Sequence, residues 1–299
     1  MDIEIAKGSG FCFGVRRAVN LALQAASVKD IKIVTLGPLV HNPLVVEMLE
    51  AKGIRPLEET ADDIDVVIIR AHGIPESRLE TLRRGRAEII DATCPFVKRS
   101  QRHARALRDE GYQVVILGDR NHPEVRAVSS YAGDHAVVVE SADDLPESLG
   151  PRVGILAQTT QSKEAFLRLV QCVVPKARVV KVVNTICRST AARLAETERL
   201  ARNVQVMIIL GGRHSHNTLE LDRVSRLTGI DTHHIERVDE LQVQWFRNIG
   251  NVGISAGAST PDGVIDDVVR RIRAFEKPVF HNDAAYVRQR IPARLQPLK

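Results

Sequence analysis

Residues 88–101 read EIIDATCPFVKRSQ: an apolar run, a short polar turn, Cys94, then Pro95 and an amphipathic basic segment. The isoleucines before the turn favour a strand, and a proline just past the cysteine favours a helix starting there. The same figure occurs twice more, as EIAKGSGFCFGVRRAV (4–19) around Cys12 and VVNTICRSTAARLA (182–195) around Cys187. A unit repeated along a chain governs the whole fold, so it is traced outward first.

After each cysteine comes an apolar run ending in Leu-Gly: IVTLG (33–37), VVILG (114–118) and MIILG (207–211), with the glycine 25, 24 and 24 residues past its cysteine. Four residues beyond each glycine stands a polar group: His41, His122 and Ser215. An acidic turn follows (LEETADDID at 57–65, VESADDLPE at 139–147, IERVDELQ at 235–242). A last strand then ends in small polar residues: VVIIRAHG (66–73), RVGILAQTT (152–160) and NVGISAGAS (251–259). Strand and helix patterns alternate, which predicts an α/β fold of three pseudo-equivalent units with mainly parallel sheets. The expected units are 1–92, 93–185 and 186–260, followed by a C-terminal helix and tail over 261–299. Sites in open α/β sheets gather outside the carboxyl ends of the strands. The three cysteines, His41, His72, His122, Thr159, Ser215 and Ser259 all fall at such ends. Three equivalent units facing one axis would bring three thiols to one point.

The composition narrows the partners. The chain has 299 residues, is 44% hydrophobic and 26% charged, and carries a formal charge of +5. That balance favours anions: a phosphorylated substrate, an acidic redox protein or nucleic acid. The basic segments 78–86 and 97–108 read as solvated helix faces, and no RNP-type motif or zinc finger accompanies them, so no nucleic acid partner is expected. The start, MDIEIAKGSG, lacks a signal peptide pattern, and no apolar run approaches the ~20 residues of a membrane helix. A cytoplasmic location without a membrane partner is expected.

Four scattered cysteines with no C-x-x-C do not make a secreted disulfide framework. Three of them recur at equivalent repeat positions, which favours a shared ligand over three small buried hydrophobes. Thiolates hold iron–sulfur clusters, and three ligands leave one iron open. A mononuclear zinc remains the other metal reading, although zinc sites usually take two ligands from one short motif. Cys94 at a helix start is expected to be pushed toward thiolate. Cys172, in FLRLVQCVVP, has no repeat equivalent and reads as core. GSGFCFG misses the G-x-G-x-x-G dinucleotide fingerprint by one residue, and no P-loop is present.

His41, Asn42, His72, His122, Glu124, Thr159, Thr160, Ser215, Asn217 and Ser259 then form a polar ring. Imidazoles, hydroxyls and amides are what an oxyanion pocket without a P-loop uses. A carboxylate at Glu124 is misplaced beside an anion unless it handles protons; as a first-turn residue of a helix it has a second, plain reading.

The motifs FCFGVRRAV, LVHNP, AHG, DATCP, NHPEV, QTTQS, TIC, HSHNT and AGAS, in this order from Cys12 to about Ser259, resemble the 4-hydroxy-3-methylbut-2-enyl diphosphate reductase family, which closes the methylerythritol phosphate route to isoprenoids. The resemblance implies a [4Fe–4S] cluster on Cys12, Cys94 and Cys187. It implies reductive dehydration of an allylic alcohol diphosphate to isopentenyl and dimethylallyl diphosphates. His41, His72, His122, Ser215, Asn217 and Ser259 match the family's diphosphate pocket, and His216 stands where some relatives carry a small residue. Glu124 matches the proton donor, with Thr159 and His122 beside it. Ferredoxin or flavodoxin is the implied electron donor, to a monomer or homodimer. Two alternatives stay open: a quinolinate-synthase-like three-cysteine dehydratase, and a non-catalytic iron–sulfur sensor or RNA-binding protein.

Overall fold

The computed structural model describes residues 1–59 and 63–276. The chain runs β1 (Asp2–Ile5), α1 (Phe13–Ala25), β2 (Ile33–Leu36), α2 (Pro43–Glu50), β3 (Arg55–Leu57), β4 (Val66–Ile69), α3 (Glu76–Arg84) and β5 (Glu88–Asp91). It continues through α4 (Pro95–Asp109), β6 (Gln113–Leu117), α5 (Pro123–Ala132), β7 (Val137–Val139), β8 (Arg152–Ala157), α6 (Lys163–Val173) and β9 (Val179–Val182). It closes with α7 (Arg188–Ala201), β10 (Val206–Leu210), α8 (His216–Leu227), β11 (Asp231–Ile235), β12 (Asn251–Ala256) and α9 (Asp262–Glu276).

The strands form three four-stranded sheets, ordered β3-β2-β4-β5, β7-β6-β8-β9 and β11-β10-β12-β1. Every pairing is parallel. Such sheets need cover on both faces, so their central strands are continuous apolar runs. Residues 66–69 (VVII) and 206–210 (VMIIL) are buried throughout. Helices supply the cover. Ala18, Val45 and Leu49 pack with Ile68 on one face of the first sheet, and Ile74 and Leu82 with Val67 and Ile69 on the other. In the third sheet Ile265, Val268 and Ile272 of α9 pack on Ile208 and Ile254.

The expected first unit, 1–92, needs correction at its start. β1 pairs with β12 and so belongs to the third sheet, not the first. The reason is an edge: without β1, the backbone groups of β12 would face water unpaired. β1 thereby takes the place that β5 and β9 take in the other sheets. In all three, the edge strand is the one that runs into a cysteine. Each cysteine therefore lies where the chain leaves one sheet and enters the helix of the next unit, and the N-terminal strand closes the ring. The expected C-terminal helix is α9; the tail after Phe280 lies outside the described residues.

Candidate functional site

Each cysteine stands at the N-cap position of a helix, Cys12 of α1, Cys94 of α4 and Cys187 of α7, and Cys12 Sγ also accepts from Val15 N (3.5 Å). Each is also tied by its own N–H to the end of a central strand. Cys12 N donates to Ala258 O (3.0 Å), Cys94 N to Ala71 O (2.9 Å) and Cys187 N to Thr159 O (2.9 Å). The acceptors lie two residues past β12, β4 and β8, so the three cysteines are held by the same bond in each unit. Together they line one cavity of about 110 Å³. That is several times the roughly 10–15 Å³ that one water needs on the same measure.

Gly14 shows how closely the units meet there. A Cβ at this position would lie 2.5 Å from Cys94 Sγ. α1 can pass the second thiol only because the residue two past Cys12 has no side chain. We expect Gly14→Ala to cost about 1–3 kcal/mol through overpacking and to deplete whatever the thiols bind. Thermal unfolding and metal content of the variant check this; a wild-type metal content would contradict it.

At Cys94 the helix start, which favours the thiolate, is opposed by burial. Burial raises its pKa to about 11, outweighing the backbone N–H groups of Phe96 and Val97 that favour the anion. A metal ion bound there would displace such a proton.

Three histidines share this cavity lining with the cysteines. Ring centroids are 4.4 Å apart for His41 and His72, 5.2 Å for His41 and His122, and 5.3 Å for His72 and His122. Burial lowers the pKa of all three, that of His122 to about 3, which favours neutral imidazoles. His122 Nδ1 accepts from Glu124 N (3.1 Å), which leaves its Nε2 as the proton-bearing nitrogen. His41 Nε2, His72 Nδ1 and both amide atoms of Asn217 are buried without a partner among the described residues. Buried polar atoms are normally satisfied, so orphans converging on a cavity mark a polar ligand's place. A trio of ring nitrogens within 4.8 Å of one another could also hold a cation.

Ser215 caps α8 and Ser259 Oγ donates to His41 O (3.3 Å), while both side chains line the cavity. His216 Nδ1 and Thr160 Oγ1 lie 3.2 Å apart, bridging the second and third units. His216 also lines a wider cleft of about 1020 Å³ with Gln161, Lys163 and Arg223, and so stands at the boundary between the two spaces. Asn42 is not in the cavity lining; its Oδ1 caps α2 by accepting from Leu44 N (3.0 Å).

Glu124 sits in the first turn of α5, yet it is 3% exposed and faces inward. Its carboxyl accepts from Thr159 N (2.6 Å) and Thr159 Oγ1 (2.8 Å). Burial raises its pKa, and these two bonds only partly oppose the rise. A carboxyl held toward its neutral form removes the clash with an anion and leaves a proton to give. Thr159 joins this acid to the cysteines, since its carbonyl holds Cys187.

Asn42 apart, the residues singled out as catalytic, pocket or metal-ligating line this one cavity. The sequence reading missed Thr190 and Ser189 in the same lining, the latter with its Oγ 3.0 Å from Cys187 Sγ. It also missed Arg193, buried on α7 nearby. Nothing in the repeat marks these three, because they sit inside helices and not at the aligned turns.

The model of the family described as LytB protein matches residues 3–273. The chain is 46% identical over 278 residues to the 4-hydroxy-3-methylbut-2-enyl diphosphate reductase of Aquifex aeolicus, covering 91% of this chain and 96% of that one. It is 44% identical to the enzyme of the same name from Geobacter sulfurreducens, covering 92% and 98%. Among solved structures it is similar to (E)-4-hydroxy-3-methyl-but-2-enyl diphosphate reductase, described as the terminal enzyme of the non-mevalonate pathway. There the TM-score is 0.70 at 44% identity, over 92% of this chain and 100% of that one. The Plasmodium falciparum reductase superposes with a TM-score of 0.84 at 25% identity, over 90% and 87%.

Proposed function

The chain belongs to the LytB protein family, and on that premise we propose that it reduces (E)-4-hydroxy-3-methylbut-2-enyl diphosphate to isopentenyl and dimethylallyl diphosphates. In this reaction the allylic C–O bond breaks, two electrons and two protons enter, and the oxygen leaves as water. The names carried by its relatives favour this over the quinolinate-synthase-like and sensor alternatives.

The single observation that carries the reading is one cavity that joins three thiols, a set of orphaned neutral donors and a buried carboxyl. The thiols of Cys12, Cys94 and Cys187 fit a [4Fe–4S] cluster: there are three of them, held alike, with no fourth cysteine in the lining. Bound there, the cluster would supply a Lewis-acidic iron free of protein ligands and the electrons, one at a time. The remaining work belongs to the chain's own side chains. His41, His72, His122, Ser215, His216, Asn217 and Ser259 would take the diphosphate, which lies remote from the bond that breaks and so orients it. Glu124, steadied by Thr159, would give the proton to the departing oxygen, with His122 next to it. Ferredoxin or flavodoxin, acidic proteins suited to a chain of net positive charge, would deliver the electrons in the cytoplasm. Among the described residues no helix is long and apolar enough to cross a membrane.

The test is anaerobic turnover. Iron-loaded protein with a strong artificial reductant should convert the allylic diphosphate to the two products, and no conversion by fully loaded protein would sink the reading. The pocket has its own test. Replacing His41 or Asn217 by alanine removes a charge-assisted bond worth about 1.5–3 kcal/mol, roughly a ten- to hundredfold loss of affinity for inorganic diphosphate. An anion also raises the depressed histidine pKa values. Binding therefore takes up protons, and affinity falls as pH rises through the pKa values of the complex. Calorimetry in buffers of different ionisation enthalpy reads the uptake, which should be smaller in His41→Ala; equal uptake and affinity would misplace the pocket.

A further inference from the structure

Arg193 is 3% exposed, on α7 six residues past Cys187. Its Nε donates to Gly8 O (2.8 Å) and its Nη2 to Gly10 O (2.9 Å). These carbonyls belong to the turn that leads from β1 into Cys12, and both glycines adopt positive φ (79° and 89°). Nη1 is buried with no partner. No carboxylate is paired with Arg193 among the described residues, and the charges that favour its cation are those of Cys12 and Cys187 as thiolates. A buried cation without a counter-charge is costly. Three thiolates around an iron–sulfur core carry net negative charge, which is the partner this guanidinium lacks.

We propose that Arg193 is the counter-charge and positioning residue of the iron–sulfur site: it holds the turn that carries Cys12 and sets a fixed positive charge beside the Cys12 and Cys187 ligands. The inference rests on the three cysteines holding a cluster. Its fork is suited to the first task, since a guanidinium engages two acceptors in one plane where an ammonium is a point charge. The second task follows from electrostatics. Reduction adds an electron to the cluster, and a cation nearby in a low-dielectric interior favours the reduced form. Arg17 makes a useful comparison. It sits on α1 and donates to Asp91 O (3.3 Å) and Thr93 O (3.4 Å), holding the turn before Cys94 in the same manner. It is only partly buried, so its charge is screened by water.

The experiment uses Arg193→Gln, Arg193→Lys and Arg17→Gln as anaerobically reconstituted holoproteins. Circular dichroism reports the fold, iron and sulfide analysis the loading, chelator challenge the rate of iron loss, and redox titration by electron paramagnetic resonance the midpoint. Arg193→Gln should lose iron faster and show a more negative midpoint than wild type. Arg193→Lys should keep the wild-type midpoint yet still lose iron faster, and Arg17→Gln should lose iron faster with its midpoint unchanged. A folded Arg193→Gln protein that holds no cluster, beside a loaded Arg193→Lys, also supports the proposal. Wild-type midpoint and wild-type iron loss in Arg193→Gln would overturn it. If that variant does not fold, wild-type iron loss in Arg193→Lys overturns it instead. Wild-type protein that takes up no iron and sulfide is a different result, and it is the cluster reading that then fails.

Discussion

Glu124→Gln, fully loaded with its cluster, is expected to bind substrate at least as well as wild type and to turn over at least a hundredfold more slowly. General acid catalysis is worth about 10²–10⁴-fold, which sets the scale. Glutamine keeps the shape and one acceptor oxygen for Thr159, so the pocket stays folded, but it has no acidic proton. The raised pKa of Glu124 fixes the sign of the pH dependence. The protonated acid is present below that pKa and lost as pH rises through it, so the wild-type rate should fall on the alkaline side, and the variant should lack that limb. Unaltered binding with slow turnover places the loss in the transition state. Near-normal turnover would return Glu124 to the role of a helix-start carboxylate.

Any one of Cys12→Ser, Cys94→Ser or Cys187→Ser should lose most of the iron and sulfide and with it essentially all turnover. The three are equivalent in standing at a helix N-cap position and in the strand-end carbonyl that holds each N–H, so similar losses are expected at all three. Serine offers a much poorer ligand for iron than thiolate at the same place. Cys172→Ala should retain both, because Cys172 packs on the core from within α6 and is absent from the cavity lining. Loss of the cluster in Cys172→Ala, or its retention in two of the three serine variants, would break the assignment.

The cysteine-centred repeat was readable because each feature is local: an apolar run, a turn of fixed length, a helix start. That was enough for the α/β class, the parallel strands and most of the polar residues gathered in the cavity, though not Ser189 or Thr190. The place of β1 was not readable. DIEI encodes a strand, but which sheet edge it completes is decided by the closing of the ring, a contact 249 residues away between Asp2 and Asn251. Asn42 looked like pocket and proved to be a cap, because the first unit has one extra residue between Leu-Gly and its helix. The burial of Cys94 was not readable for a different reason: sequence shows the helix start, whereas the burial that opposes it arises in the folded chain. Arg193 was invisible for the same reason, its partners Gly8 and Gly10 lying at the other end of the chain.

The most direct test of the account is the content of the cavity itself. Protein prepared without oxygen should be brown, with iron and acid-labile sulfide in equal amounts, and one iron should change its Mössbauer signature when the allylic diphosphate is added. Stoichiometric zinc without sulfide, bound to the same three cysteines, would contradict it.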